Sequence, residues 1–304
     1  MQIPLPAKIL TSCFKKHKII YREELSMFSQ LKNILNANKF RIFLGLIYLT
    51  SFYGIFMLFN GVSLWWLLAG LVWSKLIQLI GHSIGMHRYF SHKSFNTTPF
   101  GEKLMAWTSL LLGVGSPIQY ARNHRQHHRV TDKETDWHSP VVDGELYTAL
   151  GIWEFNSLKW FMDRGGMTPR DLIVHPTYRF IHDHYYKIWA ALIAVTLLID
   201  WRITVFLLAV PSWIYHIELN VFVNWIGHTH GYRNYDTDDR SKNNGWVHLW
   251  TLGEGLHNNH HANANCYDFA VKDSEAFDVS AWVIDKFLAV PGENTERGRI
   301  RIDG

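Results

Sequence analysis

IFLGLIYLTSFYGIFMLFNGVSLWWLLAGLVWSKLIQLI, residues 42–80, decides the fold class. Its first part, Ile42–Phe59, is uncharged over 18 residues; as an α-helix it is about 27 Å long, close to the thickness of a bilayer's hydrocarbon core. Asn60-Gly61 breaks the run and Val62–Ile80 begins at once. So short a connection forces the two helices into an antiparallel membrane hairpin.

Downstream the signal is weaker. Ile188–Ile199 offers 12 apolar residues, about 18 Å of helix, and crosses only by recruiting Tyr185 and Tyr186 or where the bilayer thins. Asp200-Trp201-Arg202 turns the chain into Ile203–Ile226, a fourth span whose Pro211 must kink it or be accommodated by neighbours. Leu104–Ile118, interrupted by Gly113, Gly115 and Pro117, reads as an interfacial or protein-buried helix. The expected fold is therefore all-α integral membrane, four transmembrane helices with a cytoplasmic helical cap. Its parts are a cytoplasmic segment 1–41, a hairpin 42–80, a cytoplasmic region 81–184, a second hairpin 185–226, and a cytoplasmic region 227–304 with an amphipathic helix near Val279–Leu288. Lys15, Lys16, Lys18, Arg22, Lys32, Lys39 and Arg41 have no counterpart in the 60–63 and 200–202 turns. That asymmetry puts the N-terminus, and with four crossings both termini, in the cytoplasm.

Composition agrees. The 304 residues are 48% hydrophobic and 15% aromatic, with 14 Trp, whereas mean hydropathy is near zero, so a polar portion lies outside the lipid. The net charge of +4 suits an anionic membrane face; no motif for nucleic acid accompanies it. Cys13 and Cys266 are the only cysteines, which excludes a disulfide framework and a thiolate-held iron–sulfur cluster. The N-terminus reads as lacking a signal peptide.

The chemistry sits in histidine clusters: His87 and His92 in HRYFSH, His124, His127 and His128 in HRQHH, His257, His260 and His261 in HNNHH, and a separate His228. On a helix, H-x-x-H-H sends three imidazoles to one side. His87 and His92, five apart, fall about 140° apart on an α-helix, so one of them is expected where the helix ends. Asn224 and His228, four apart, share a face at the end of the fourth span. Donors this rich in nitrogen suit iron, and ligand type alone also admits copper, zinc or manganese. His17, His175, His182, His184, His216, His230 and His248 read as bystanders. His82 repeats the five-residue step and is an open candidate; Asp136 and His138 are candidates to orient a ligand from behind.

These boxes resemble those of the membrane fatty-acid desaturases, in the acyl-CoA (stearoyl-CoA-type) branch. HRYFSH, NHRQHH and GEGLHNNHH match in order and spacing, and VNWIGH resembles the V-N-S-x-x-H segment; the likeness covers roughly residues 40–290. It implies two irons held by His87, His92, His124, His127, His128, His228, His257, His260 and His261, with Asn224 reaching one of them through water. It also places Arg122 and Asn123 at the substrate's head group. Here the chain departs: Tyr120-Ala121-Arg122-Asn123 stands where Trp-Ala-Arg-Asp is common, and Trp137-His138 where Pro-His is common. The missing acid leaves the carrier of the acyl chain open between coenzyme A, acyl carrier protein and a lipid.

The implied function is desaturation of an acyl chain with O2 as co-substrate. Acetylenation, terminal alkene formation and hydroxylation need the same metal site. Trp65, Trp66 and Trp73 either close a tunnel for the chain or pack against lipid, and His216, Asn220, Asn224 and His228 form a polar series every four residues along the fourth span. With no H-P-G-G haem segment, Rossmann glycines or cysteine cluster, the electrons must come from ferredoxin, rubredoxin or a b-type cytochrome with its reductase. Basic residues around 122–133 offer either a docking patch for such an acidic donor or a hold on the substrate's phosphates or lipid. A metal transporter is the competing class, disfavoured because transport ligands sit near the bilayer midplane; a zinc protease lacks its H-E-x-x-H.

Overall fold

A computed structural model describes residues 38–299 except 157, 167, 272–274 and 276. Leu44–Gly304 form one compact unit, and of the unit Met1–Phe43 only residues 38–43 are described. The basic residues before Lys39, and His17, lie outside the described residues.

Helices dominate, and among the described residues three are long and apolar enough to cross a membrane: Asn38–Phe59, Trp65–Ser91 and Trp201–Thr229. Four were expected. The helix Pro176–Ile199 does enclose the weak stretch Ile188–Ile199, and Tyr185 and Tyr186 do belong to it. Arg179, Asp183 and Lys187 on its first half leave an apolar part too short to qualify by composition alone. The chain is also not purely helical, because Asn96–Thr97 pairs antiparallel with Ala289–Val290.

The third apolar helix packs against the hairpin through small residues. A Cβ added at Gly54 would sit 2.4 Å from a Val205 methyl, and one added at Gly70 2.4 Å from the Phe206 carbonyl oxygen. Such close approach is how helices gain contact where lipid removes the hydrophobic drive to associate. Pro211 is accommodated, as one of the two expected outcomes had it. A proline deprives the carbonyl four residues earlier of its N–H; that carbonyl, Leu207, instead accepts from the Trp73 indole at 3.0 Å. The helix is wound with i→i+5 bonds over Thr204–Ala209, immediately before the proline's α-helical segment Val210–Ile217. Trp66 stacks on Phe206 and Trp65 is exposed.

Two expected boundaries move. The second span does not stop at Ile80: it continues as a helix with i→i+5 bonds over Gln78–Ser91. Leu104–Ile118 is not one helix, because Pro99–Leu110 ends before Gly113 and Gly115, which take φ of 78° and 101°, and Ser116 caps a new helix, Pro117–Val130. The glycines supply the left-handed turns that other residues resist. The amphipathic helix near Val279–Leu288 is present, burying Ser280, Ala281, Ile284 and Leu288.

Gly70→Ala is expected to destabilise the detergent-solubilised protein by about 1–3 kcal/mol through overpacking against backbone. Gly45→Ala, whose Cβ meets nothing within 4 Å, should be neutral or stabilising by up to ~1 kcal/mol. Thermal unfolding of the two side by side checks this, and equal Tm values contradict the packing described.

Candidate metal centre

The i→i+5 winding of Gln78–Ser91 settles the odd spacing of the first box. In such a helix residues five apart stack on one another, and His92, capping the helix, donates its backbone N–H to the His87 carbonyl at 3.3 Å. The two rings lie 5.2 Å apart. The expectation that one of them sits at a helix end holds, for His92. The second box rides on Pro117–Val130 and the third on the short helix His257–Ala262. His228 lies in the last turn of Trp201–Thr229.

These elements bring the nine histidines into two groups. His87, His92, His124, His128 and His260 form one; His127, His228, His257 and His261 form the other; within each the ligating atoms all lie within 4.8 Å of one another. A third set, His127, Asp136 and His138, overlaps the second.

The nitrogens face one another in a way that hydrogen bonding cannot satisfy. His228 and His261 each point Nδ1 at a carboxylate, at 3.1 Å to Asp132 and 3.0 Å to Asp239. Those nitrogens therefore carry the proton, which leaves a lone pair on each Nε2. Both lone pairs face Nε2 of His257 at 3.1 Å, where one proton can serve only one of them. In the other group His260 Nε2 is shared in the same way by His87 and His128, each at 2.9 Å. The Nδ1 atoms of His257 and His260 are buried with no partner among the described residues. A cation at the centre of each group resolves these Nε2–Nε2 contacts. All-imidazole donor sets suit iron, copper or zinc.

Carboxylates back the rings. Asp136 accepts from His127 Nδ1 at 3.0 Å, Glu254 holds His87 Nδ1, and Arg88, wholly buried, binds Glu254 at 2.7 Å and Asp278 at 3.0 Å. Burial opposes ionisation of Asp132, Asp136 and Asp239, yet hydrogen bonds and charge from His228, His127 and His261 hold all three well below the usual carboxylate range. Burial, reinforced by neighbouring imidazoles, drives His124, His128, His257 and His260 well below the ordinary value. Burial lowers His261 to about 4 against the pull of Asp239. Neutral imidazole is the form that binds metal.

The fatty acid desaturase pattern matches residues 63–268, which contain every one of these histidines. The chain belongs to the fatty acid desaturase family. It is 33% identical over 235 residues to a chloroplastic palmitoyl-monogalactosyldiacylglycerol delta-7 desaturase of Arabidopsis thaliana, covering 72% of this chain and 58% of that protein. It is 32% identical over 207 residues to an sn-1 stearoyl-lipid 9-desaturase of Anabaena variabilis (66% and 69%). It is 30% identical over 223 residues to an acyl-CoA C20 Delta5-desaturase of Anemone leveillei (72% and 69%). The chain spans about 60% of the length of its chloroplastic plant relatives.

In this family member, His82 falls outside both groups and bonds the Tyr120 hydroxyl at 2.8 Å. His138 packs 4.5 Å from the His127 ring, and it is Asp136 that holds the His127 nitrogen. Asn224, buried on the helix that carries His228, donates to Asn220 at 3.3 Å. Arg122 reaches Asn123 at 3.3 Å and lies over the Trp137 ring. Of the bystanders, His175 pairs with Glu102, His182 bonds Ser116, His184 the Phe180 carbonyl and His230 Thr229, while His248 is buried. His216, also away from the metal groups, lies 3.0 Å from Glu154, beside a buried network in which Asn220 bonds Glu154 at 2.9 Å and Trp153 at 2.8 Å. Asp132, Asp239 and Glu254 escaped the sequence reading. The available signal was the habit of ligating histidines to lean on carboxylates, since Asp132 and Glu254 lie within four residues of a box.

His127→Ala and His260→Ala should each weaken metal retention by more than the ~10–100-fold that loss of a supporting partner brings. His175→Ala should retain the metal. Metal content by plasma mass spectrometry checks this, and equal content in all three variants contradicts the grouping.

Proposed function

We propose that this desaturase uses two irons and O2 to introduce a double bond into an acyl chain carried by a membrane lipid. The observation that carries the reading is the division of nine histidines, six buried and three half-buried, into two adjoining groups that each need a cation. His87, His92, His124, His128 and His260 would hold one iron; His127, His228, His257 and His261 would hold the other, with Asn224 acting through water. Bound iron supplies the oxidising power that no side chain has for removing hydrogen from an unactivated methylene. The chain's own residues do the rest. Asp132, Asp136, Asp239 and Glu254 fix the imidazole tautomers. The surrounding packing keeps bulk water from the groups. Arg122 and Asn123 lie on the helix of the second box, where they can meet the head group and so set the distance from it to the reacting carbons.

A lipid carrier fits Asn123 standing where an acid is common, and the lipid substrates named for the Arabidopsis and Anabaena relatives. The Anemone relative's name supports acyl-CoA as the second reading. Exposed Arg129 and Lys133 on the surface beside the second box suit an acidic ferredoxin, rubredoxin or b-type cytochrome.

The geometry also bears on topology. Trp65–Ser91 and Trp201–Thr229 both end at the metal groups and so run in the same direction, while Val62 and Trp201 meet at the far end with Val205 and Phe206. Two spans running in one direction support a return crossing between them. Pro176–Ile199 is the element that can make it: it begins beside the first box, where Tyr178 packs against Phe90, and ends at Asp200. We assign it as the fourth crossing, with the metal groups and both termini cytoplasmic.

Purified protein with iron, O2 and a reductase chain should convert a saturated acyl group to a monounsaturated one on intact lipid, seen by mass spectrometry as loss of two hydrogens. Unchanged acyl chains on lipid, coenzyme A and acyl carrier protein alike would remove the reading. Asn224→Ala should lower activity with partial iron retention.

A further inference from the structure

The carboxylates behind the two groups are unequally distributed. Three stand behind the four-histidine group: Asp132 on His228, Asp136 on His127 and Asp239 on His261, at 3.0–3.1 Å. Among the described residues, none of the three forms an ion pair with lysine or arginine. Their remaining hydrogen bonds come from neutral donors, among them the Arg240 and Trp137 backbone N–H groups and Ser139 and Ser241. Behind the five-histidine group, among the described residues, one carboxylate touches a ring, Glu254 on His87. That one is compensated by the buried Arg88 at 2.7 Å, which it shares with Asp278.

Negative charge behind a ligand raises the ligand's basicity and favours the higher charge on the metal. Charge in a buried site acts at low effective dielectric. We infer that the two metal positions are electrically unequal, and that Asp132, Asp136 and Asp239 direct the first electron entering an oxidised di-iron pair to the five-histidine side. With iron bound, one electron from an external reductant would convert the ferric ion held by His87, His92, His124, His128 and His260 to ferrous, while the three aspartates would keep the ion held by His127, His228, His257 and His261 ferric. These aspartates are positioning residues: they touch histidines, not substrate. The inference rests on the two-iron reading above and goes beyond it by ordering the two positions.

The test uses the full-length protein loaded with iron-57 and titrated with dithionite, followed by Mössbauer spectroscopy and by midpoint potential. The wild type should hold two irons, and the half-reduced form should show one ferric and one ferrous component. Asp239→Asn and Asp132→Asn should perturb the component that stays ferric and raise the lower of the two potentials. Glu254→Gln should perturb the component that becomes ferrous and move the higher one. Asp238→Asn, whose carboxylate is exposed and paired with Lys133, should change neither. Fewer than two irons in the wild type would remove the two-iron reading and this inference with it. Two irons whose ferric component responds to Glu254→Gln and not to the aspartate variants would overturn the inference alone, as would a half-reduced state with indistinguishable irons. If one aspartate variant fails to fold, the other carries the same comparison.

Discussion

Nine imidazoles cannot be packed nitrogen to nitrogen without something positive between them. His257 and His260 each share one Nε2 with two neighbours, at 2.9–3.1 Å, while their own Nδ1 atoms are buried and unpartnered. A buried polar atom left unsatisfied costs about 1–3 kcal/mol, and several occur here within a few ångströms. Bound cations turn the facing Nε2 lone pairs into coordination, so metal binding and the stability of this region are coupled. The rest of the structure can be read as the frame that makes the nitrogens converge.

That frame is built from few elements. The helix Trp65–Ser91 carries the first box out of its apolar part without interruption, and its i→i+5 winding points His87 and His92 inward together. Arg88 ties it to the loop before the third box through Glu254 and Gly253, and to Asp278 beyond. The guanidinium also lies 3.8 Å over the Phe269 ring. A fully buried arginine with this many partners is a junction: remove it and the carboxylates it serves are left as unpaired buried charge. The third apolar helix contributes His228 at one end, and near the other, at Val205 and Phe206, the close contacts with Gly54 and Gly70 that fix its depth.

Much of this was legible in the sequence, and for identifiable reasons. Ile42–Phe59 and the break at Asn60-Gly61 needed only hydropathy and turn chemistry. The boxes needed only their spacing and the resemblance that the family match then bore out. The branch within the family is less sharply drawn, since lipid and acyl-CoA desaturases both stand among the relatives. Other features depend on contacts between distant segments. The i→i+5 winding of Gln78–Ser91 has no simple periodic signature, and the five-residue steps His82–His87–His92 were its only trace. Asp239 lies in an irregular polar loop, eighteen positions before His257, and only the folded chain brings it to His261. The break inside Leu104–Ile118 was signalled by its glycines, but apolar content outweighed them. Ile188–Ile199 was recognised as too short, and the helix that contains it shares that ambiguity.

The central claim is that the two histidine groups are two iron sites. X-ray absorption at the iron edge, with iron quantified on the same purified protein, addresses it most directly. The account predicts two irons per chain, each with a first shell dominated by imidazole nitrogen and without sulfur. A single iron per chain, or a shell dominated by oxygen or sulfur, would contradict it.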